Sequence, residues 1–158
     1  MPTPQKLIKF LEKNKVKYTL VKHRTVYTAF DKAATLKVKP NIIGKTLVLK
    51  IDKSLAVVLI PANKNLDKNK FKKVAKVKNL NFVSERIIKN KLKGVKVGAM
   101  PPFGNLWGLA TFIDKSLINQ PKIIVNGGDY NWSIKISPAA LKKIIPDLII
   151  GTFSKVKK

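Results

Sequence analysis

The amino-acid sequence predicts a mixed-sheet fold of the α/β or α+β class, and three observations carry the prediction. Helix and strand signals alternate along the whole chain instead of gathering into separate blocks. Apolar residues make up 45% and charged residues 26%, the balance of a chain with a packed core. At 158 residues there is enough chain for one core without disulfide or metal staples, so a single domain over 1–158 is expected.

The elements follow in order. Thr3 and Pro4 form an N-cap and first-turn pair ahead of QKLIKFLEKN, where Leu7, Phe10 and Leu11 share one helical face. KYTLV is a short strand. Thr28 then caps AFDKAATL, with Asp31 three residues on as an acidic capping box. KTLVLKI and LAVVLI, joined by Asp52, Lys53 and Ser54, predict a hairpin, and their apolar density predicts central strands covered on both faces. Asp67 caps KNKFKKVAKV and Ser84 caps ERIIKNKL, with LNFV a strand between them. LATFI, KIIVN, WSIKI and LIIGT read as four further strands, and Ser137 with Pro138 starts a helix that Pro146 stops. No repeat or linker interrupts the chain, and the tail SKVKK is expected to fray.

Composition excludes several chemistries. With no cysteine there is no disulfide, thiolate nucleophile, zinc-thiolate or iron-sulfur site, and with His23 the only histidine there is no histidine-rich metal site. The eight acidic residues fall mostly at caps and turns, without a DxD, HExxH or paired-carboxylate pattern, so no metal is expected. The start MPTPQKLIKFLEKN has no signal-like apolar region, and no apolar run approaches the ~20 residues of a membrane span. A cytoplasmic protein without a membrane partner is expected. The net charge of +25 suits a polyanion. Yet Arg24 and Arg86 are the only arginines among 33 basic residues, and phosphate-binding forks favour arginine, so part of this charge reads as the lysine usage of an A/T-rich genome.

Three places leave backbone or cation accessible. Lys45 opens the first long strand after Gly44, in IIGKTLVL; the upstream glycine of a phosphate-binding P-loop is missing and a strand follows where that motif needs a helix. VGAMPPFGNLWGL, residues 97–109, combines Gly98, Gly104 and Gly108 with Pro101 and Pro102, a stiff stretch that serves either as a turn or as a wall of exposed amides. VNGGDYNW places Gly127 and Gly128 after a strand, as a hairpin turn or as part of a carbonyl-binding pocket. His23 is the one candidate general base and, as a lone histidine at a strand end, equally a structural hydrogen-bonder.

The order H…TA…AA…GKTLVL…LIPA…LD…F…SE…VGAMPPFG…VNGG…ISPAAL resembles the YbaK/prolyl-tRNA synthetase insertion-domain family of aminoacyl-tRNA deacylases, most clearly over residues 23–145. The resemblance implies a single α/β domain with a curved mixed sheet flanked by helices, and hydrolysis of the ester of a mischarged tRNA. It implies catalytic roles for Lys45, matching the family's lysine, and Gly98, which opens GAMPP as the family's GxxxP loop. It implies substrate contacts from Thr46, Ala99, Met100, Pro101, Pro102, Gly127 and Gly128. No cofactor and no side-chain nucleophile are needed, since water or the substrate's own side chain attacks. The implied partners are the acceptor end of a mischarged tRNA and an aminoacyl-tRNA synthetase. Thr46 stands where members specific for alanyl-tRNA often carry asparagine, which leaves the amino acid open. The alternative is a non-catalytic RNA- or ribosome-binding module on the same fold.

Overall fold

The β-branched runs on either side of Asp52 and Lys53 build the centre of the molecule. The structure is a computed structural model and describes residues 5–91, 96 and 99–157. Strands β2 (Gly44–Ile51) and β3 (Ser54–Pro61) pair antiparallel from Ile51↔Ser54 to Gly44↔Pro61. Asp52 turns the hairpin at φ 51°, a left-handed angle that aspartate tolerates, and its carboxylate accepts from the amides of Lys78 and Asn79 at 3.2 and 2.9 Å.

Alternation along β3 fills both faces. Ala56, Val58 and Ile60 pack with Phe71, Phe112 and Phe153, while Leu59 packs with Leu7, Leu11, Phe103 and Leu117 on the other side. The strand is central because both of its faces are apolar. Its sheet runs β5-β2-β3-β6-β9, where β5 is Leu80–Phe82, β6 Ala110–Asp114 and β9 Ile149–Gly151; β3-β6 and β6-β9 are parallel and the rest antiparallel. The mixed sheet predicted from sequence is this one.

β1 (Tyr18–Lys22), β8 (Trp132–Ile136) and β7 (Ile123–Asn126) form a separate antiparallel sheet in the order β1-β8-β7. A parallel bridge between Ile43 and Ile124 joins it to the start of β2. That bridge lays the first residues of β2 alongside the end of β7.

The predicted caps form as read. The Asp31 amide donates to Thr28 Oγ1 at 3.0 Å ahead of α2 (Ala29–Leu36), and the Lys70 amide to Asp67 Oδ1 at 3.1 Å ahead of α3 (Lys68–Ala75). Ser84 and Ser137 cap α4 (Glu85–Lys91) and α6 (Pro138–Ile144) through the amides of Ile87 and Ala140. The helix α1 (Gln5–Lys13) buries Leu7 and Leu11 and rests Phe10 on Phe103, ring centroids 5.7 Å apart. The cap expected from Thr3 and Pro4 lies outside the described residues.

The tail departs from expectation. Ser154–Val156 is a strand, β10, paired antiparallel with β4 (Lys64–Leu66), and Phe153 is fully buried. The amides of Phe153 and Ser154 donate to Asp114 Oδ1 at 2.9 and 3.0 Å, which fixes the segment that composition alone suggested would fray. Burial pushes the Asp114 carboxyl up, and bonds from Ser116, Phe153 and Ser154 outweigh it, holding the group below the usual aspartate value.

Candidate active site

Lys45, the second residue of β2, is half-buried at the edge of a cavity of about 240 Å³ lined by Tyr27, Thr28, Ala29, Lys45, Thr46 and Asn126. Its Nζ donates to the Lys64 carbonyl at 3.0 Å. Burial, then the charge of Lys157, lowers its pKa from the ordinary lysine value. Thr46 Oγ1 is buried without a hydrogen-bond partner among the described residues. Lys45, whose ammonium has one carbonyl partner among the described residues, and its neighbour Thr46 both line this cavity together with the start of α2.

The cavity is also lined by a residue that motif reading passed over. Asn126 ends β7, 7% exposed, and both ends of its amide are engaged: Oδ1 accepts from Lys32 Nζ at 2.7 Å and Nδ2 donates to the Met100 carbonyl at 3.1 Å. Lys32 is itself only 5% exposed, and burial pushes its pKa down to about 8. Fully buried lysines are rare because the ammonium loses its hydration. Here one side-chain carbonyl compensates in part. The signal was in the sequence: Lys32 falls on the α2 stripe of Ala29, Ala33 and Leu36, where solvated lysines do not belong.

The two glycine-bearing stretches meet through the same strand end. The Gly128 amide donates to the Ala99 carbonyl at 3.1 Å, so residues 99–100 are clipped to 126–128 twice. Ala99, Met100, Pro101, Pro102, Gly127 and Gly128 are all buried. A side chain on Gly127 would stand 3.1 Å from the Trp132 carbonyl oxygen, so the hairpin closes over glycine. Of the amides over 99–102, Ala99's donates to the Lys96 carbonyl at 3.0 Å and the prolines have none, which leaves Met100's outside those bonds. Gly98, proposed from sequence as catalytic, lies outside the described residues. Of the residues singled out beforehand, Lys45 and Thr46 line the cavity, Met100 stands one hydrogen bond behind it, and Ala99 and Gly128 are joined to each other one step further back.

His23 is held elsewhere. Its Nδ1 lies 2.8 Å from the Arg24 carbonyl and its Nε2 2.9 Å from Ser133 Oγ. A carbonyl only accepts, so the neutral ring carries its proton on Nδ1 and takes the Ser133 hydroxyl proton at Nε2. Burial lowers the ring's pKa, the Arg24 carbonyl pulls it back up, and the charge of Lys32 lowers it further. It does not line the cavity. Among the described residues no three histidine, cysteine or acidic side chains gather as a metal site, and no helix is long and apolar enough to cross a membrane.

The described residues thus bring together a strand-entry lysine and a buried loop clipped to a glycine hairpin, with no carboxylate among the residues that line the cavity. The aminoacyl-tRNA editing domain family matches residues 23–144, and the chain belongs to that family. It is by that membership an aminoacyl-tRNA deacylase, an ester hydrolase. The prolyl-tRNA editing protein ProX of Acetoanaerobium sticklandii is 28% identical over 151 residues, covering 92% of each chain. Among solved structures, the hypothetical protein APE2540 superposes with a TM-score of 0.87 at 22% identity over 96% of this chain and all of its own. A candidate trans-editing enzyme for prolyl-tRNA synthetase superposes with a TM-score of 0.82 at 20% identity over 98% of both chains. These two likenesses carry the fold.

Proposed function

We propose that the protein acts in trans in the cytoplasm on tRNA released with the wrong amino acid, and that Lys45 and the backbone around Gly98–Pro102 hold the aminoacyl ester for attack by water. The observation that carries this reading is the half-buried Lys45 ammonium on a cavity whose six lining residues include no carboxylate. A cavity of about 240 Å³ is below the ~300 Å³ at which drug-sized pockets begin, a size suited to an aminoacyl group and not to a whole nucleotide.

Water adds to the ester carbonyl carbon, the carbonyl oxygen takes negative charge, and the bond to the terminal ribose oxygen breaks. The products are a free amino acid and a tRNA with its hydroxyl restored. An aminoacyl ester is already activated, so one preorganised donor contributing about 3 kcal/mol, a few hundredfold in rate, is a sufficient catalyst. Lys45 supplies a cation at the substrate end and Thr46 part of the cavity wall, and the role that the family resemblance implies for Gly98 is to let the substrate approach. Pro101 and Pro102 keep the loop from spending conformational freedom on binding. Editing of this kind answers the weak discrimination, about 1–3 kcal/mol, that a synthetase pocket achieves between amino acids differing by one methylene.

The name of the Acetoanaerobium relative makes mischarged proline tRNA the first substrate to test, and prolyl-tRNA synthetase the first partner. Wild-type protein and Lys45→Ala are assayed against a panel of tRNAs carrying each near-cognate amino acid. The expected result is rapid deacylation of one or a few members by wild type and a loss of at least about 100-fold in the variant. Binding of tRNA without deacylation of any member would establish the non-catalytic module instead.

A further inference from the structure

One exposed aromatic ring lines the cavity and a second stands nearby in sequence. Tyr27, which lines the cavity, is 66% exposed, and Phe30, in the first turn of α2, is 58% exposed. Tyr27 meets Tyr130 edge-on, ring centroids 4.8 Å apart and planes at 62°. The Val26 amide donates to the Tyr130 carbonyl at 3.0 Å, so the backbone beside each ring is tied to the other. Lys96 Nζ stands 5.7 Å from the Tyr130 ring and pairs with Asp129 at 2.9 Å. Lys157 Nζ stands 5.7 Å from the Phe30 ring and is near enough to Lys45 to lower its pKa.

Neither packing nor capping explains the exposure. Thr28 caps α2 by itself, and a polar residue at 27 or 30 would serve that turn equally. Rings held at a rim amid cations are the means by which proteins take up unpaired bases. We propose that Tyr27, backed by Tyr130, is the stacking platform for the unpaired 3′-terminal base of the tRNA, with Lys157, which stands over Phe30, for the adjoining phosphate. This rests on the functional reading above: the ester is on the terminal ribose, so when the aminoacyl group fills the cavity the base on that ribose must lie at its rim. The cavity is too small to take the base as well.

The test is a cycle between ring and base. An acceptor-stem RNA hairpin ending in CCA, with the amino acid attached through a non-hydrolysable amide, is compared in binding with the same RNA lacking its terminal base. In wild type, loss of the base is expected to weaken binding roughly 10- to 100-fold. In Tyr27→Ala the same loss is expected to cost under about threefold, and Tyr27→Trp is expected to restore the full ratio. Because Tyr27 is mostly exposed, its variants should melt with wild type. A wild type indifferent to the base, or a ratio unchanged in Tyr27→Ala, overturns the platform. Deacylation of mischarged tRNA by wild type is scored separately: turnover without ring–base coupling rejects the platform alone, and coupling without turnover rejects the hydrolytic reading while the platform stands.

Discussion

Two lysines flank the end of β7, and they differ in nearly every physical respect. Lys45 is half-buried on a strand, lines the cavity and borrows one backbone carbonyl. Lys32 is 5% exposed on a helix, donates to the Asn126 side chain and does not line the cavity. The first is the one proposed to touch the substrate. The second is a strut, since through Asn126 it joins α2 to the Met100 carbonyl and so to the loop behind the site.

The sharpest separation of the two comes from activity. Lys45→Ala is expected to lose at least about 100-fold in single-turnover deacylation with its melting point nearly unchanged. Lys32→Met, by contrast, is expected to lose about tenfold in turnover, as the link from α2 through Asn126 to the loop is lost. Its stability at pH 7 should be close to that of wild type. The variant removes a charge-assisted hydrogen bond to the Asn126 oxygen, a loss of ~1.5–3 kcal/mol. It also removes a buried charge whose fall from 10.5 to about 8 corresponds to ~3 kcal/mol. The two effects are of similar size and opposite sign. Equal losses of turnover in the two variants would erase the distinction between contact and strut.

The same pKa sharpens the comparison through pH. Lys32 is protonated in both folded and unfolded chains below pH 8, so the cost of burying its charge is present in full there. Between about 8 and 10.5 the unfolded chain binds more protons than the folded one, and the stability of wild type relative to Lys32→Met should rise with pH. The gain expected across that window is up to ~3 kcal/mol, read from denaturant midpoints of the two proteins at matched pH. A difference flat from pH 7 to 10.5 would mean that Lys32 keeps its hydration.

Most of the architecture was legible because its signals are local. The central hairpin, four of the helix caps and the strand-entry lysine follow from β-branching, cap chemistry and position. What was missed is short or distant. The helix α5 (Lys115–Ile118), β4 and β10 have three or four residues each, too few for a period to show, and the β4-β10 pair joins segments on opposite sides of the domain sequence. The stretch 97–109 was legible only in half. Its later glycines belong to the turn: Gly108 sits at φ 71°, and a side chain on Gly104 would stand 2.5 Å from Thr111 Oγ1. Residues 99–100 stand behind the cavity, and nothing in their identity announced that they would be clipped to Asn126 and Gly128. Lys32 was lost in a crowd of lysines, although its helical phase marked it.

The smallest expected effect concerns His23, which tests how far the site reaches. Both ring nitrogens are engaged within the protein, one by a backbone carbonyl and one by Ser133, and the ring does not line the cavity. If the chemistry needs only positioning, His23→Ala should lower turnover by less than about threefold; losing two neutral hydrogen bonds costs stability on the order of 1–2 kcal/mol. The ring's pKa is lowered in the fold, so between that value and the ordinary 6.5 the unfolded chain binds the extra proton. Its contribution to stability is therefore present above pH 6.5 and is lost as pH falls through the folded value. Unfolding of wild type and His23→Ala should accordingly converge on acidification, while their deacylation rates, compared at pH 7.5, stay together. A variant that folds, follows that stability profile and yet has no turnover would make His23 the general base, and the division between contact and strut would have to be redrawn around it.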